Sequence, residues 1–301
     1  MTNGATLEGR IIAAHGRHYT VELNDGSLRK CFPRGKKAGA AVGDVVIIAP
    51  QGKEEGAIDR ILERRNLLYR SDDMRTKQFA ANVDQLLIVV AVEPAFSEDL
   101  IGRALVAAWS AGIEPLIILN KADLTDKLGA ARQRLSELLG LGIRIIELSA
   151  LDSEQVCAAL LPELNHRTSL LLGQSGMGKS TILNSLIPDA LAHTQEHSVA
   201  LGAGKHTTTS TRLYHLPNNA GDLIDSPGFQ TFGLYHLTAS EIERGFPEFT
   251  DAIQHCRFYN CSHRHEPGCG VLEALKRGAI TPARHELYQR ILAENESKTR
   301  Y

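Results

Sequence analysis

The sequence predicts a multidomain α/β fold with three parts that follow one another along the chain. Short apolar–polar alternations separated by glycines fill the first part, residues 7–65. Apolar strands alternate with helical patterns from about residue 80 to 235, and a cysteine–histidine cluster followed by helical patterns occupies residues 238–301. These patterns are typical of a small β-barrel, a mostly parallel sheet covered on both faces, and a metal-binding helical domain. We place the domain boundaries at 1–68, 69–236 and 237–301.

The composition is that of an ordinary soluble globular protein, with 43% hydrophobic and 23% charged residues. No apolar run approaches the roughly 20 residues that a membrane helix needs, and the segment from Met1 to Arg10 lacks the apolar core of a signal peptide. The sequence therefore predicts a cytoplasmic protein with no membrane partner; a monomer is expected, although the sequence does not settle the oligomeric state.

The first part contains short strand patterns at residues 9–14, 19–23 and 44–49, separated by turn signals. Several short strands at this spacing indicate a small barrel of the OB type. Residues 1–37 carry seven lysines and arginines against three acids, a local charge of +4. A basic OB-like barrel suits nucleic acid, although an ordinary solvated surface is the simpler interpretation of the charge alone. The polar and charged residues 64–77 that follow predict a linker.

Five apolar runs predict the strands of the second part: residues 85–92, 115–119, 143–148, 169–172 and 222–224. Helical patterns lie between them at residues 100–112 and 128–139. Such alternation predicts a mostly parallel sheet, and ligands bind at the carboxyl ends of the strands in sheets of this kind.

A phosphate loop follows the strand at residues 169–172 and opens a helical pattern. Its residues are Gly173-Gln174-Ser175-Gly176-Met177-Gly178-Lys179-Ser180. The glycines let backbone N–H groups turn toward phosphate oxygens, and the helix N-terminus adds a partial positive charge. Lys179 is expected to neutralise the β- and γ-phosphates, and Ser180 to offer its hydroxyl to Mg²⁺.

A guanine-specificity motif, Asn120-Lys121-Ala122-Asp123, follows the strand at residues 115–119. A carboxylate at Asp123 can accept hydrogen bonds from N1–H and the exocyclic amine of guanine, which adenine does not offer. The stem of Lys121 can cover the base, and Ser149-Ala150 after the next strand can donate a backbone N–H to the guanine oxygen. Helix caps resemble this motif, but together with a phosphate loop it favours GTP over ATP. Because it precedes the phosphate loop, we predict a circularly permuted P-loop GTPase domain.

The remaining parts of a GTPase site are also present. Asp225 ends a strand and can hold a Mg²⁺-bound water, while the Gly228 N–H can meet the γ-phosphate. The stretch His206-Thr207-Thr208-Thr209 lies in the polar region between the phosphate loop and Asp225, where a switch threonine closes on Mg²⁺ and the γ-phosphate. Thr208 is the first candidate and Thr207 the second, although such runs also form edge strands.

The residues predicted to contact the nucleotide lie within these motifs or next to them. They are Asn120, Lys121, Ala122, Asp123, Ser149, Ala150, Gly173, Gln174, Ser175, Gly176, Met177, Gly178, Lys179, Ser180, Thr181, Asp225 and Gly228. The predicted Mg²⁺ ligands are Ser180 and Thr208.

Three of the five cysteines, Cys256, Cys261 and Cys269, lie close together with histidines between them. Three thiolates and one imidazole make a closed four-ligand set, which fits structural Zn²⁺. His263 is a candidate fourth ligand, with His255 and His265 as rivals. The isolated cysteines Cys31 and Cys157 are expected to be small buried hydrophobes.

These motifs in this order resemble the ribosome small subunit-dependent GTPase A family of bacteria, circularly permuted GTPases that act in late assembly of the small ribosomal subunit. The resemblance covers nearly the whole chain. It is carried by residues 120–123, 173–180, 204–209 and 225–228 and by the cysteine–histidine cluster. It favours His263 as the fourth zinc ligand. It also implies GTP and GDP, Mg²⁺ and one structural Zn²⁺ as ligands, and the small (30S) subunit with its rRNA, and other assembly factors, as partners.

Catalysis lacks one familiar residue. Phe229 stands where common small GTPases carry the glutamine that orients water, and Gln230 comes one position later. We therefore expect slow hydrolysis by the isolated protein and stimulation by a partner. His206 is the nearest internal substitute and has been proposed for that role in the family, although it also suits a solvated loop. The predicted catalytic set is His206, Thr208 and Lys179.

Two other functions fit parts of the sequence. A metal-handling or regulatory GTPase would use the zinc domain as a receptor, and a nucleotide kinase would also use a phosphate loop. The kinase leaves the guanine motif and the threonine run unexplained. Residues 229–235 lead directly into the zinc domain, so we expect the loss of the γ-phosphate to move that domain.

Overall fold

The computed structural model describes residues 6–34, 39–71, 76–188, 211–226 and 233–299. Five strands form a closed barrel in the order β1-β2-β3-β5-β4-β1, in which only the β3–β5 pair is parallel. They are β1 Leu7–Ala14, β2 Tyr19–Leu23, β3 Leu28–Pro33, β4 Val45–Gln51 and β5 Glu55–Ile61. Ile11, Val21, Cys31 and Ile48 are fully buried inside it. The predicted OB-like barrel is confirmed, because alternating side chains point inward along each strand.

A hairpin follows the barrel where the sequence predicted a linker. Strands β6 Leu67–Ser71 and β7 Thr76–Ala81 pair antiparallel, so the linker prediction was wrong for these residues. Leu68 and Ala80 are buried. The charged residues before the hairpin also have partners: Arg64 donates to both carboxylate oxygens of the buried Asp44, at 2.6 and 2.7 Å. Polarity indicated a linker, but ion pairing places these side chains at a domain junction.

The second part is a sheet in the order β10-β9-β8-β11-β13-β12. Its strands are β8 Gln85–Ala91, β9 Glu114–Asn120, β10 Arg144–Glu147, β11 Thr168–Leu172, β12 Arg212–His215 and β13 Asp222–Asp225. The five predicted strands are parallel, and the unpredicted β12 runs antiparallel to β13. Its helices are α1 Glu98–Ser110, α2 Thr125–Leu139, α3 Ser153–Leu164 and α4 Lys179–Leu186. Every residue of β8 and β11 is buried, as in a sheet covered on both faces.

Strand β12 joins this sheet to the barrel. Ala13 of β1 pairs with Arg212, and the Ala14 N–H donates to the Thr211 carbonyl at 3.3 Å. One continuous sheet therefore runs from the barrel into the α/β domain.

Side chains reinforce the same junction around Asp222. Arg10 of the barrel forms an ion pair with Asp222, and His215 lies between Asp222 and Glu22, 2.7 Å from a carboxylate oxygen of each. The hydrogen bond to Asp222 is the largest cause of the raised pKa of His215, about 9; with Glu22 it outweighs the effect of burial. His215 is therefore a cation that bridges two domains at neutral pH.

The third part contains α5 Ala239–Arg244, α6 Thr250–Ile253, α7 Gly270–Lys276 and α8 Pro282–Thr299. Phe246, Phe249 and Tyr288 form its aromatic core. Helix α8 packs against α1, where Arg103 donates to both carboxylate oxygens of Glu294, at 2.6 and 2.8 Å. Among the described residues, no helix has the length and apolar character needed to cross a bilayer.

Candidate nucleotide site and metal centre

The phosphate loop lies at the carboxyl end of β11, in the centre of the sheet. Lys179, the first residue of α4, donates its Nζ to the carbonyls of Gly173 at 2.7 Å and Gln174 at 2.9 Å. Burial lowers the pKa of Lys179, and the negative charge of Asp225 opposes that shift. The loop is thus curled around its own ammonium group, a geometry suited to a polyphosphate.

Asn120 connects the two sequence motifs in space. Its Nδ2 donates to the Met177 carbonyl of the phosphate loop at 2.9 Å, and its Oδ1 accepts from the Lys121 N–H at 2.7 Å and the Ala150 N–H at 2.8 Å. The side chain is only 1% exposed, so all three bonds are shielded from water. The reversed motifs therefore meet at one edge of the sheet, as the permuted arrangement requires.

The base-recognition loop, residues 120–123, leaves the Asp123 carboxylate exposed. Lys121 has φ +61° and donates its Nζ to the Glu93 carbonyl at 2.7 Å. Asp123 is exposed, and its carboxylate accepts no hydrogen bond from the described part of the chain. An unpaired acceptor beside a phosphate loop is the arrangement that guanine recognition needs.

The predicted N–H donors to the guanine oxygen already have acceptors. The Ser149 N–H donates to Gln155 Oε1 at 2.7 Å, and the Ala150 N–H donates to Asn120. A guanine oxygen would have to share or replace one of these bonds. The sequence does not reveal this competition, because Gln155 reaches back from α3.

The opposite side of the site fits a magnesium–phosphate group. Asp225 ends β13 and is 5% exposed; burial raises the pKa of its carboxyl group to about 6, while Lys179 lowers it. Ser180 and Thr181 are exposed at the start of α4. A buried carboxylate and a free hydroxyl are oxygen donors of the kind that Mg²⁺ prefers. With nucleotide bound, Ser180 would ligate Mg²⁺ and Asp225 would hold one of its waters.

Several predicted residues lie outside the described part of the chain. They are His206, Thr207, Thr208, Thr209, Gly228, Phe229 and Gln230. Their roles stay predictions.

One contact to the phosphate loop was not predicted. Gln174 Oε1 accepts from the Ser97 N–H at 2.9 Å, and Ser97 Oγ in turn accepts from the Leu100 N–H as the N-cap of α1. Ser97 precedes two acids and a helical pattern, so the cap was detectable from sequence. Its partner, 77 residues away, was not.

The cysteine–histidine cluster forms a compact centre. One ligand atom from each of Cys256, Cys261, His263 and Cys269 lies within 4.8 Å of all the others. His263 Nδ1 lies 3.6 Å from Cys256 Sγ and 3.4 Å from Cys269 Sγ. Three thiols and one imidazole at these separations fit tetrahedral Zn²⁺. His263 occupies this position, whereas the rival candidates His255 and His265 are exposed.

A second layer of contacts orients the ligands. His263 Nε2 lies 3.0 Å from Glu243 Oε2, which directs Nδ1 toward the cluster. The Gly270 N–H donates to Cys256 Sγ at 3.4 Å, and the Leu272 N–H donates to Cys269 Sγ at 3.5 Å. Such bonds stabilise thiolates, so the surroundings as well as the ligands suit a structural metal.

A phosphate loop and a guanine motif in reversed order on one parallel sheet define a circularly permuted GTPase. The family model described as RsgA GTPase matches residues 61–235, more than half of the chain. The protein belongs to the RsgA GTPase family and is a GTP hydrolase. The family resemblance drawn from the sequence motifs is confirmed.

Similar proteins match along nearly the whole chain. The small ribosomal subunit biogenesis GTPase RsgA of Bordetella pertussis is 68% identical over 294 residues, which cover 98% of each chain. The protein of the same name from Ralstonia nicotianae is 55% identical, covering 96% of this chain and 92% of its own.

Two solved structures support the multidomain fold. The crystal structure of YjeQ from Thermotoga maritima superposes with a TM-score of 0.72 at 31% identity, covering 97% of this chain and 99% of that one. YloQ, a circularly permuted GTPase, gives a TM-score of 0.69 at 26% identity, covering 99% of this chain and 98% of its own.

Proposed function

We propose that this GTPase binds the small (30S) ribosomal subunit and its rRNA in the cytoplasm, as a monomer, and assists late subunit maturation. The observation that carries the proposal is the similarity, 68% identity over 98% of both chains, to a relative named small ribosomal subunit biogenesis GTPase. The basic stretch at residues 1–37 on an OB-like barrel suits an RNA partner. Other assembly factors are secondary partners in this proposal.

Different side chains of this protein bind the base, the phosphates and the Mg²⁺ ion of GTP. Asp123 selects guanine, Lys179 and the phosphate loop hold the phosphates, and Ser180 with Thr208 ligates Mg²⁺. Phosphoryl transfer depends mainly on such positioning and charge stabilisation. Because Phe229 cannot orient water, turnover by the isolated protein is slow and the subunit accelerates it. His206 is the internal candidate for placing the water.

The nucleotide state controls affinity for RNA. The chain passes from Asp225 through residues 227–235 to α5, and Glu243 on that helix contacts the zinc ligand His263. GTP holds the arrangement that binds rRNA, and hydrolysis releases it. Zn²⁺ on Cys256, Cys261, His263 and Cys269 keeps the third domain, residues 237–301, folded for this purpose.

GTP turnover with and without purified small subunits tests the proposal. We expect a large increase with small subunits and none with large subunits, while the Lys179→Ala variant stays inactive in both cases. Unchanged turnover with small subunits would contradict the proposal. If His206→Ala keeps the stimulated rate, His206 has no part in catalysis and the subunit supplies the missing group.

A further inference from the structure

An unusual pair of adjacent aromatic residues projects from the zinc centre. The side chain of Tyr259 is fully exposed, at 103%, and that of Phe258 is 41% exposed. They lie in the loop between the zinc ligands Cys256 and Cys261. Single exposed apolar side chains are common on protein surfaces, but two neighbouring aromatic rings on one short loop indicate a contact surface.

We propose that this loop, residues 257–260, is an RNA contact in which the Tyr259 ring stacks on an unpaired base. The proposal rests on the proposed function, because it names the RNA of the small subunit as the occupant. Single-stranded loops and bulges expose bases that stack on aromatic side chains in this way.

The loop is fixed before any partner arrives. The Arg257 N–H donates to the Gly268 carbonyl at 2.9 Å, and the Cys261 N–H donates to the Phe258 carbonyl at 3.3 Å. The two flanking cysteines belong to the metal centre. A rigid backbone with an exposed ring loses little conformational entropy on binding, which favours stacking.

One cation, Arg257, lies beside the rings. The Arg257 guanidinium lies 5.5 Å from the centroid of the Phe258 ring. Arg257 is exposed and forms no ion pair with any described residue. It is therefore available to a phosphate next to a stacked base.

The one carboxylate between residues 256 and 269 is turned inward. Glu266 accepts from the Ser262 N–H at 2.8 Å, from Ser262 Oγ at 2.5 Å, and from the N–H groups of Arg264 and His265 at 3.1 Å. These bonds keep the charged carboxylate engaged with donors of its own loop and partly offset its negative charge. The Arg257 cation beside the exposed aromatic rings matches a polyanion that carries bases, and this complementarity favours RNA over a protein pocket.

Binding of full-length, zinc-loaded protein to purified small subunits, with a non-hydrolysable GTP analogue, tests the proposal. We expect Tyr259→Ala to weaken binding about tenfold, as for other base-stacking aromatics, and Tyr259→Phe to bind as the wild type does. Leu139→Ala is the matched control, because Leu139 is also exposed, at 58%, but lies at the end of α2. Arg257→Gln is expected to reduce the salt dependence of binding.

A fluorescent variant separates RNA from protein. In a Trp109→Phe background, Tyr259→Trp makes residue 259 the only tryptophan, since the chain has one. Stacking on a base quenches indole emission, so we expect quenching when subunits are added. A blue shift with increased emission would indicate a protein pocket and would overturn the RNA assignment.

The outcomes distinguish the two proposals. If the wild type binds subunits and Tyr259→Ala binds equally well, the loop contact is wrong and the proposed function stands. If the wild type does not bind, both are wrong. Zinc content and GTP turnover without subunits verify that each variant is folded.

Discussion

At the scale of single residues, the Asn120 side chain sets the distance between the base-binding and phosphate-binding halves of the site. A buried amide whose acceptor and donor are both satisfied has one stable orientation, because any rotation leaves polar groups unpaired. Its contacts to Met177 and Ala150 come from segments that follow β11 and β10. The permuted order of motifs therefore does not weaken the pocket, since the residue that connects them acts through space.

Replacing Gly178 by alanine is expected to disrupt this connection. Gly178 has φ +95°, and a Cβ there would lie 2.0 Å from Asn120 Nδ2. Relieving such a clash moves either the loop or Asn120, at a cost of about 1–3 kcal/mol. We expect GDP affinity, measured by calorimetry, to fall roughly tenfold or more.

Gly129→Ala provides the matched control for this substitution. Gly129 lies within α2, and a Cβ there meets no atom within 4 Å. Alanine is expected to stabilise this helix by about 0.5–1 kcal/mol and leave GDP affinity unchanged. Equal GDP affinity in the two variants would show that the Asn120–Gly178 contact does not shape the site.

At the scale of secondary-structure elements, the cysteine–histidine cluster joins helices that are too short to be stable alone. Helix α5 supplies Glu243, and Cys269 caps the N-terminus of α7. Helices of six and seven residues are unstable in isolation, so a Zn²⁺ ion in the cluster would reinforce the packing of their buried side chains, such as Ile242 and Val271.

Removing the metal is therefore expected to unfold this segment alone. We expect one zinc ion per wild-type chain, and loss of it in Cys261→Ser together with faster amide exchange over residues 255–270. GDP binding is expected to survive, because the nucleotide site is built on the parallel sheet of the second part, whereas the cluster lies among the helices of the third. Cys157→Ser is the control: Cys157 contacts the Ser185 carbonyl, far from the cluster in sequence, and its loss should not change zinc content. Full zinc content in Cys261→Ser would contradict the ligand assignment.

At the scale of the whole molecule, the barrel and the GTPase domain form one sheet whose junction carries a charged cluster. His215, Asp222, Glu22 and Arg10 meet there. A histidine between two carboxylates is more easily protonated in the folded protein than in the unfolded chain. The junction is therefore strongest when His215 is charged.

The stability of the wild type is expected to depend on pH for this reason. The folded-state pKa of His215, about 9, lies above the ordinary histidine value of 6.5. Its contribution is thus fully present below about pH 6.5 and is lost as the pH rises through 9. Since the His215 side chain is 42% exposed, we discount the shift to about 1 kcal/mol for screening. Denaturant unfolding at pH 6.5 and 9.5 should show a larger loss in the wild type than in His215→Gln, and equal losses would remove His215 as the cause.

Sequence patterns predicted the elements whose burial is periodic. The barrel strands and the five parallel strands follow from alternating or continuous apolar residues. The hairpin strands Leu67–Ser71 and Thr76–Ala81 were missed because a stretch rich in charged residues looks like a solvated linker, although Arg64 and Arg65 at its start form ion pairs. Strand β12 was missed because it has only four residues and two of them, Arg212 and His215, are polar.

The candidate site was predictable in its motifs but not in its internal contacts. Motif spacing identified Asn120 and Lys179, because their chemistry requires neighbours in sequence. The bonds from Asn120 to Met177 and from Gln174 to Ser97 join residues 57 and 77 positions apart, and only the folded backbone determines them. The candidate zinc ligands fall between these cases: the cysteines were evident from their spacing, the family resemblance favoured His263 over its rivals, and the geometry groups His263 with the three cysteines.

The hydrogen bond from the Ala14 N–H to the Thr211 carbonyl has a consequence for the coupling between GTP binding and partner binding at the barrel. Thr208, the predicted Mg²⁺ ligand, is three residues before Thr211, and three residues span at most about 11 Å of chain. If Thr208 ligates Mg²⁺ as predicted, its binding would restrain the edge of the barrel, and a partner bound to the barrel would restrain Thr208 in return. Thermodynamic reciprocity then requires that whatever binds the barrel more tightly in the presence of GTP must tighten GTP binding by the same factor.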